Sequence, residues 1–214
     1  RVVGRFPRER GRFFGVPEDQ RIKHDILIPS GEQGEAEPGQ VVTVAITQQP
    51  ERHRQPLGRV IEVLGEIDDP GMEIEIAVRK FEVPVGFSDK ALKQAARIPA
   101  KVKPSEYKGR VDLRDVPFIT IDGEDARDFD DAVYCERVDI GTGKRPRWAW
   151  RLLVAIADVS HYVRSGDALD EDALERGTSV YFPRRVIPML PESLSNGICS
   201  LNPSVDRLVM VCDM

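Results

Sequence analysis

Between Asp122 and Asp131 the chain places six acids and one arginine within ten residues: Asp122, Glu124, Asp125, Asp128, Asp130 and Asp131, with Arg127 among them. Crowding carboxylates costs free energy unless solvent or cations neutralise them. Hard oxygen donors with few imidazoles or thiolates at hand select Mg²⁺ or Mn²⁺ over zinc. A calcium loop does not fit, because the acids do not alternate as an EF-hand requires and no glutamate closes the loop. The bland reading is a solvated acidic surface loop. Against it, the segment is bracketed by what read as short apolar strands, Ile119 to Ile121 before it and Ala132 to Tyr134 after it. Gly123 is expected to take an unusual backbone angle that folds the segment back, bringing Asp122 toward Asp128, Asp130 and Asp131.

Other reactive residues are fewer. Asp158 and His161 suggest an acid/base pair, but a metal route needs no imidazole, so His161 reads as a structural anchor. Cys135, Cys199 and Cys212 form neither a zinc spacing nor an even disulfide set. That usage fits a reducing compartment, and a cytoplasmic location is expected. No apolar run is long enough to span a membrane, so no membrane partner is expected. The net charge is -5 with a pI near 5.4, unlike a dedicated nucleic-acid binder. Its distribution says more. Arg1, Arg5, Arg8, Arg10 and Arg12 crowd the start while the acids crowd 122–131, which suits a protein that holds a polyanion and cuts it with metal ions.

The elements that must position these groups change character along the chain. Over 1–65, Val2–Phe6, Arg12–Val16, Asp25–Pro29, Val41–Ile46 and Leu57–Val63 read as short strands with Gly/Pro punctuation, which predicts a small closed barrel. Residues 66–110 read as a connector. Within it Met72–Phe81 fits either a strand or a helix with Ile74, Ala77, Val78 and Phe81 on one face, and Ser88 can cap a helix through Ala96. Over 111–214 the pattern is mixed. Trp150–Ala157 is a near-continuous apolar run expected to be covered on both faces. Asp167 caps a helix over Ala168–Arg176 that stops at Gly177. Val180–Phe182 and Arg207–Cys212 read as strands, with an exposed apolar edge at Leu208–Val211.

Asp112-Leu113-Arg114-Asp115, then Ile121 to Asp131, then Ala155-Ile156-Ala157-Asp158-Val159-Ser160-His161-Tyr162-Val163 resemble the catalytic domain of the ribonuclease II family. Tyr181-Phe182-Pro183, Ile187 to Pro191, Leu194-Ser195 and Cys199 to Asn202 extend the match, and Phe13 to Pro17 with Asp25 to Pro29 resemble a cold-shock barrel. The resemblance implies a mixed fold: an N-terminal all-β OB (cold-shock-like) barrel, then the first part of an α+β ribonuclease II-type catalytic domain. It implies hydrolysis of single-stranded RNA from the 3′ end to 5′-monophosphates, with Mg²⁺ or alternatively Mn²⁺. On this resemblance Asp122, Asp128, Asp130 and Asp131 form the catalytic and metal set. Asp122 and Asp131 are then the direct ligands, Asp130 stands at the metals or on the terminal ribose hydroxyl, and Asp128 acts through water. Tyr181 would stack near the 3′-terminal nucleotides, Phe13 or Phe14 would stack on bases, and Arg12 and Arg184 would meet phosphates. The family's catalytic domain normally runs past the point where this chain stops. A truncated piece is therefore expected, with the remaining part of that domain as its partner and a monomer at full length. The alternative is a non-catalytic single-stranded RNA-binding module.

Overall fold

Val41 to Val44 form a β-branched run in which every residue is buried. Val42 and Val44 join Phe6, Ile26 and Ile28 in one apolar cluster, while Val41 joins Val3 and Met72 in another. Two faces of one strand are thus covered, and the strands around it show how. The structure, a computed structural model, describes residues 1–214 apart from His53, Lys144 and Arg184. It divides into two units, Arg1–Val85 and Gly86–Met214.

In the first unit β1 (Val2–Arg5), β2 (Arg8–Glu9), β3 (Arg12–Pro17), β4 (Ile26–Ile28), β5 (Gln40–Gln48) and β6 (Leu57–Glu66) pair in the order β1-β5-β6-β4-β3-β2. A further pairing of β1 with β3, Gly4 opposite Pro17 and Arg5 opposite Val16, closes five strands into a barrel. Closure removes the open edges that would otherwise invite pairing with another chain. The expected barrel is therefore present, with β2 as an added hairpin arm. Its turn, Arg10-Gly11, has φ of 49° and 78°, the left-handed pair that a two-residue hairpin favours. The ambiguous segment is a helix, α1 (Met72–Lys80), which lays Met72 against Val3 and Val41 and buries Val78. Phe81 does not join that face. The helix ends at Lys80 and leaves the ring 68% exposed.

The second unit begins with α2 (Asp89–Ala95), where the Ser88 hydroxyl accepts from the Ala91 amide at 3.2 Å. Then come β7 (Asp131–Asp139), β8 (Trp148–Ala157), α3 (Ala168–Arg176), the hairpin of β9 (Val180–Phe182) with β10 (Arg185–Ile187), and β11 (Val209–Asp213). The cap of α3 is Asp167, which accepts from the Asp170 amide at 2.9 Å, and Gly177 ends the helix with φ of 73°. Strands β11, β8 and β7 make an antiparallel sheet in that order. Ala91 and Ala95 of α2, Leu169 of α3, and Leu194, Ile198, Cys199 and Leu208 form the core. No helix among the described residues is long and apolar enough to cross a membrane.

Three expectations for this unit need correction. Ile119–Ile121 is not a strand: Ile119 alone bridges to Val133 through bonds of 2.9 and 2.8 Å, and Ile121 is 80% exposed. Strand β8 is covered on one face only. Leu153, Ala155 and Ala157 are buried, while Trp148, Trp150, Leu152 and Ile156 are exposed on the other, as the period of two dictates when a single face meets the core. Leu208 belongs to the core and not to an exposed edge, because β11 begins one residue later. The chain divides between Val85 and Gly86, inside the 66–110 stretch.

The barrel seam is tight at Gly4, where an added Cβ would lie 2.1 Å from the Val16 carbonyl oxygen. Gly4→Ala should therefore cost about 1–3 kcal/mol in urea unfolding of the first unit. Gly123→Ala, whose Cβ would meet nothing within 4 Å, should leave the midpoint unchanged.

Candidate functional site

Residues 122–130 lie in neither strand nor helix, so their placement depends on individual hydrogen bonds. At the near end, the Ala126 amide donates to the Gly123 carbonyl at 3.0 Å, closing a turn. Gly123 is not among the residues with positive φ, so its expected unusual angle is absent and the turn forms without it. At the far end the Ala157 amide of β8 donates to the Asp130 carbonyl at 2.9 Å, and the Leu201 amide donates to the Phe129 carbonyl at 2.8 Å. The Phe129 amide donates to the Ser200 hydroxyl at 3.0 Å, and that hydroxyl donates to the Arg127 carbonyl at 2.8 Å. Asp131 then opens β7, opposite Ile156.

The carboxylates so placed feel one another. Asp130 has its pKa raised, first by partial desolvation of its carboxyl and then by the negative charges of Asp128, Asp131 and Asp122. The residue as a whole is exposed, so the desolvation is local to the carboxyl. All four aspartates named from the sequence thus belong to one electrostatic neighbourhood. They do not close on a point: among the described residues no three His, Cys, Asp or Glu side chains are gathered tightly enough to hold a metal ion. The donor set itself, oxygen only and mutually repelling, suits a hard divalent cation.

Tyr181 of β9 reaches this neighbourhood. Its hydroxyl donates to Asp128 Oδ2 at 2.5 Å, while the side chain remains largely exposed. That hydrogen bond, then burial and the charges of Asp128 and Asp130, push the phenol up to about 12, so it stays a neutral donor across ordinary pH. The bond to Asp128 was not foreseen, since nothing in the sequence spacing relates residue 181 to residue 128. Arg184 lies outside the described residues. In the barrel, Phe13 stacks on Phe6 with ring centroids 5.2 Å apart and planes 7° apart, and the Arg8 guanidinium lies 5.3 Å from its centroid. Phe13 thus packs against the barrel core. Phe14 and exposed Arg12 share the opposite face of β3.

Asp158 and His161 serve a separate network. Burial pushes the Asp158 carboxyl up, but bonds from Arg110 at 2.6 Å and Ser160 at 2.8 Å outweigh it and hold the pKa below the ordinary range. His161 Nε2 meets Glu106 at 2.8 Å. These contacts pin the 104–110 segment beside the end of β8, and the anchoring role read for His161 fits them. Ser200 lies within the Cys199–Asn202 run, and its hydroxyl contacts are a positional detail that spacing could not reveal. Cys199 beside it is pushed up to about 12 by burial and is chemically quiet.

The folded chain holds the Asp130 proton more tightly than the unfolded chain does. The stability this gives is present below the ordinary aspartate range and is lost as pH rises through the raised value. Without divalent cations, Asp130→Asn should therefore raise the melting temperature at pH 7, with the gain fading toward pH 3. Asp128→Asn should bring the Asp130 carboxyl resonance titration back toward its ordinary midpoint.

Comparison with known proteins agrees with this layout. Residues 14–88 match the cold shock domain model and residues 110–214 match the RNB domain model. The chain is 53% identical over 213 residues to ribonuclease R of Escherichia coli, a match covering 100% of this chain and 25% of that protein. It therefore spans a quarter of that relative's length. The Mycoplasma genitalium RNase R structure in complex with double-stranded RNA superposes with a TM-score of 0.85 at 30% identity, over 99% of this chain and 36% of the other. Yeast Ssd1, described as a pseudonuclease, shares the fold with a TM-score of 0.59 at 19% identity, over 100% of this chain and 27% of the other. Fold alone does not decide activity, and the side chains have to carry that argument. The barrel, the sheet that opens at Asp131, and the likeness over the whole chain agree: the chain joins a cold shock domain to RNB-domain sequence and is similar along its full length to ribonuclease R.

Proposed function

We propose that this chain carries the acidic centre of a cytoplasmic 3′-to-5′ exoribonuclease that releases 5′-monophosphates from single-stranded RNA with the help of Mg²⁺ or Mn²⁺. The observation that carries the reading is the electrostatic grouping of Asp122, Asp128 and Asp131 around Asp130, whose proton affinity is raised by partial desolvation and then by their charges. A site that makes one of its own carboxylates reluctant to ionise is one that a divalent cation relieves. Asp122, Asp128, Asp130 and Asp131 are the residues that would hold it. When bound, such ions supply Lewis-acid neutralisation at the scissile phosphate.

The chain's own groups supply the rest. Tyr181, neutral and exposed, orients Asp128 through its hydroxyl and presents its ring to a terminal base. On the barrel, Phe14 and Arg12 share the face suited to stacking and phosphate contact, and Phe13 serves the core in place of a base. Oxygen-rich Asp130 also suits the terminal ribose hydroxyls, a contact that would favour RNA over DNA.

A second reading, a non-catalytic single-stranded RNA-binding module, is favoured by one observation. Among the described residues the acids do not close on a single point. The two readings separate in one experiment, using a 5′-labelled oligoribonucleotide with Mg²⁺ and with EDTA. Stepwise shortening from the 3′ end, stopped by EDTA and reduced about 100-fold or more by Asp130→Asn, is expected for the nuclease. Binding that weakens with salt and is not followed by release supports the module instead.

A further inference from the structure

Ser200 is fully buried, and both hydrogen bonds of its hydroxyl to the protein land on the aspartate loop. The hydroxyl donates to the Arg127 carbonyl at 2.8 Å and accepts from the Phe129 amide at 3.0 Å, so it grips the backbone on either side of Asp128. One residue on, the Leu201 amide donates to the Phe129 carbonyl at 2.8 Å, which fixes the peptide that leads into Asp130. The gripping segment is itself held firmly. The Ser200 amide donates to the Gly197 carbonyl at 3.1 Å, and its carbonyl accepts from Arg207 Nε at 2.7 Å and from the Asn202 amide at 2.8 Å. Ile198 and Cys199 just before it are buried in the core with Leu194.

The physical need for such a grip follows from the charges. Asp128, Asp130, Asp131 and Asp122 repel, and a loop without regular structure would relax by spreading them. A cationic clamp would neutralise the site it was meant to preserve. A buried neutral hydroxyl does not, and its bonds are little weakened by water or salt.

We propose that Ser200 is a positioning residue, whose hydroxyl sets the Arg127–Phe129 backbone and thereby holds the Asp128 and Asp130 carboxylates within reach of one divalent cation. The role rests on reading the cluster as a cation site. Alanine at this position removes both bonds at little cost in volume, so the fold should survive while the loop loosens.

The test compares wild type, Ser200→Ala and Asp130→Asn by amide hydrogen exchange and by Mn²⁺ binding followed by electron paramagnetic resonance. In Ser200→Ala the Phe129 amide should exchange at least about 10-fold faster, with Leu153 to Ala155 of β8 unchanged, and the Kd for Mn²⁺ should rise by about 10-fold. Asp130→Asn should lose Mn²⁺ yet keep Phe129 protected. Unchanged exchange at Phe129, faster exchange with unaltered Mn²⁺ affinity, or equal loss of protection throughout β8 would each overturn the positioning role alone. Failure of the wild type to bind Mn²⁺, with Phe129 protected, would overturn the cation reading and the positioning role with it.

Discussion

Repulsion among like charges is the constraint around which the second unit is arranged. Asp122, Asp128 and Asp131 all bear on Asp130, and residues 122–130, which carry all of them but Asp131, have no helix or strand of their own to resist separation. Every tertiary restraint on them therefore has to come from neighbours. Among the described residues these are the Ala157 amide at the end of β8, the Ser200 hydroxyl and Leu201 amide, and the Tyr181 hydroxyl on β9. Three of the four act on backbone. Carboxylates are placed mainly through their peptides, and Tyr181 takes one oxygen of Asp128.

The anchors need anchoring in turn, and the chain does this with groups kept apart from the acidic centre. Ala157 is followed by Asp158, whose amide donates to the Leu208 carbonyl at 2.9 Å and whose side chain takes Arg110 and Ser160. A carboxylate buried this far is stable only when paired, so Arg110 is required where it stands. Glu106, lowered first by its bond from the Lys103 amide, engages His161 and fastens the same segment. The Arg110 guanidinium is thus taken up by Asp158 and is not bonded to the aspartates of the loop.

How much of this could be read from the sequence depends on the range of the interaction. Local rules worked: Ser88 and Asp167 cap the helices predicted from them, Gly177 ends α3, the β-branched run at Val41 became β5 and the apolar run at Trp150 became β8. The barrel was legible because five short strands admit few closures. Failures lie where a partner distant in sequence decides. Ile119–Ile121 looked like a strand, but only Ile119 finds a partner. Apolar Trp150 and Ile156 looked buried, yet β8 meets the core on one face. Gly123 was credited with a turn that the Ala126 amide makes with an ordinary backbone angle. In the site itself the acids were legible by density, while Ser200 and the Tyr181 bond to Asp128 were not, since only folding brings residues 181 and 200 to residue 128.

The same distinction between backbone and side chain reconciles the two observations that pull apart at the centre. The aspartates are near enough to raise the proton affinity of Asp130, and yet no three acids among the described residues close on one point. Negative side chains on a fixed backbone minimise their energy by turning away from one another, within the staggered rotamers open to aspartate. A divalent cation reverses the sign of that preference, and the carboxylates can then turn inward without moving the chain. The reorganisation is confined to a few side-chain torsions, costing far less than ordering a free loop of ten residues would. A pinned backbone with repelling side chains therefore leaves only a few side-chain torsions to be reset on the proposed cation reading. It is an arrangement whose remaining freedom is the freedom a cation would use.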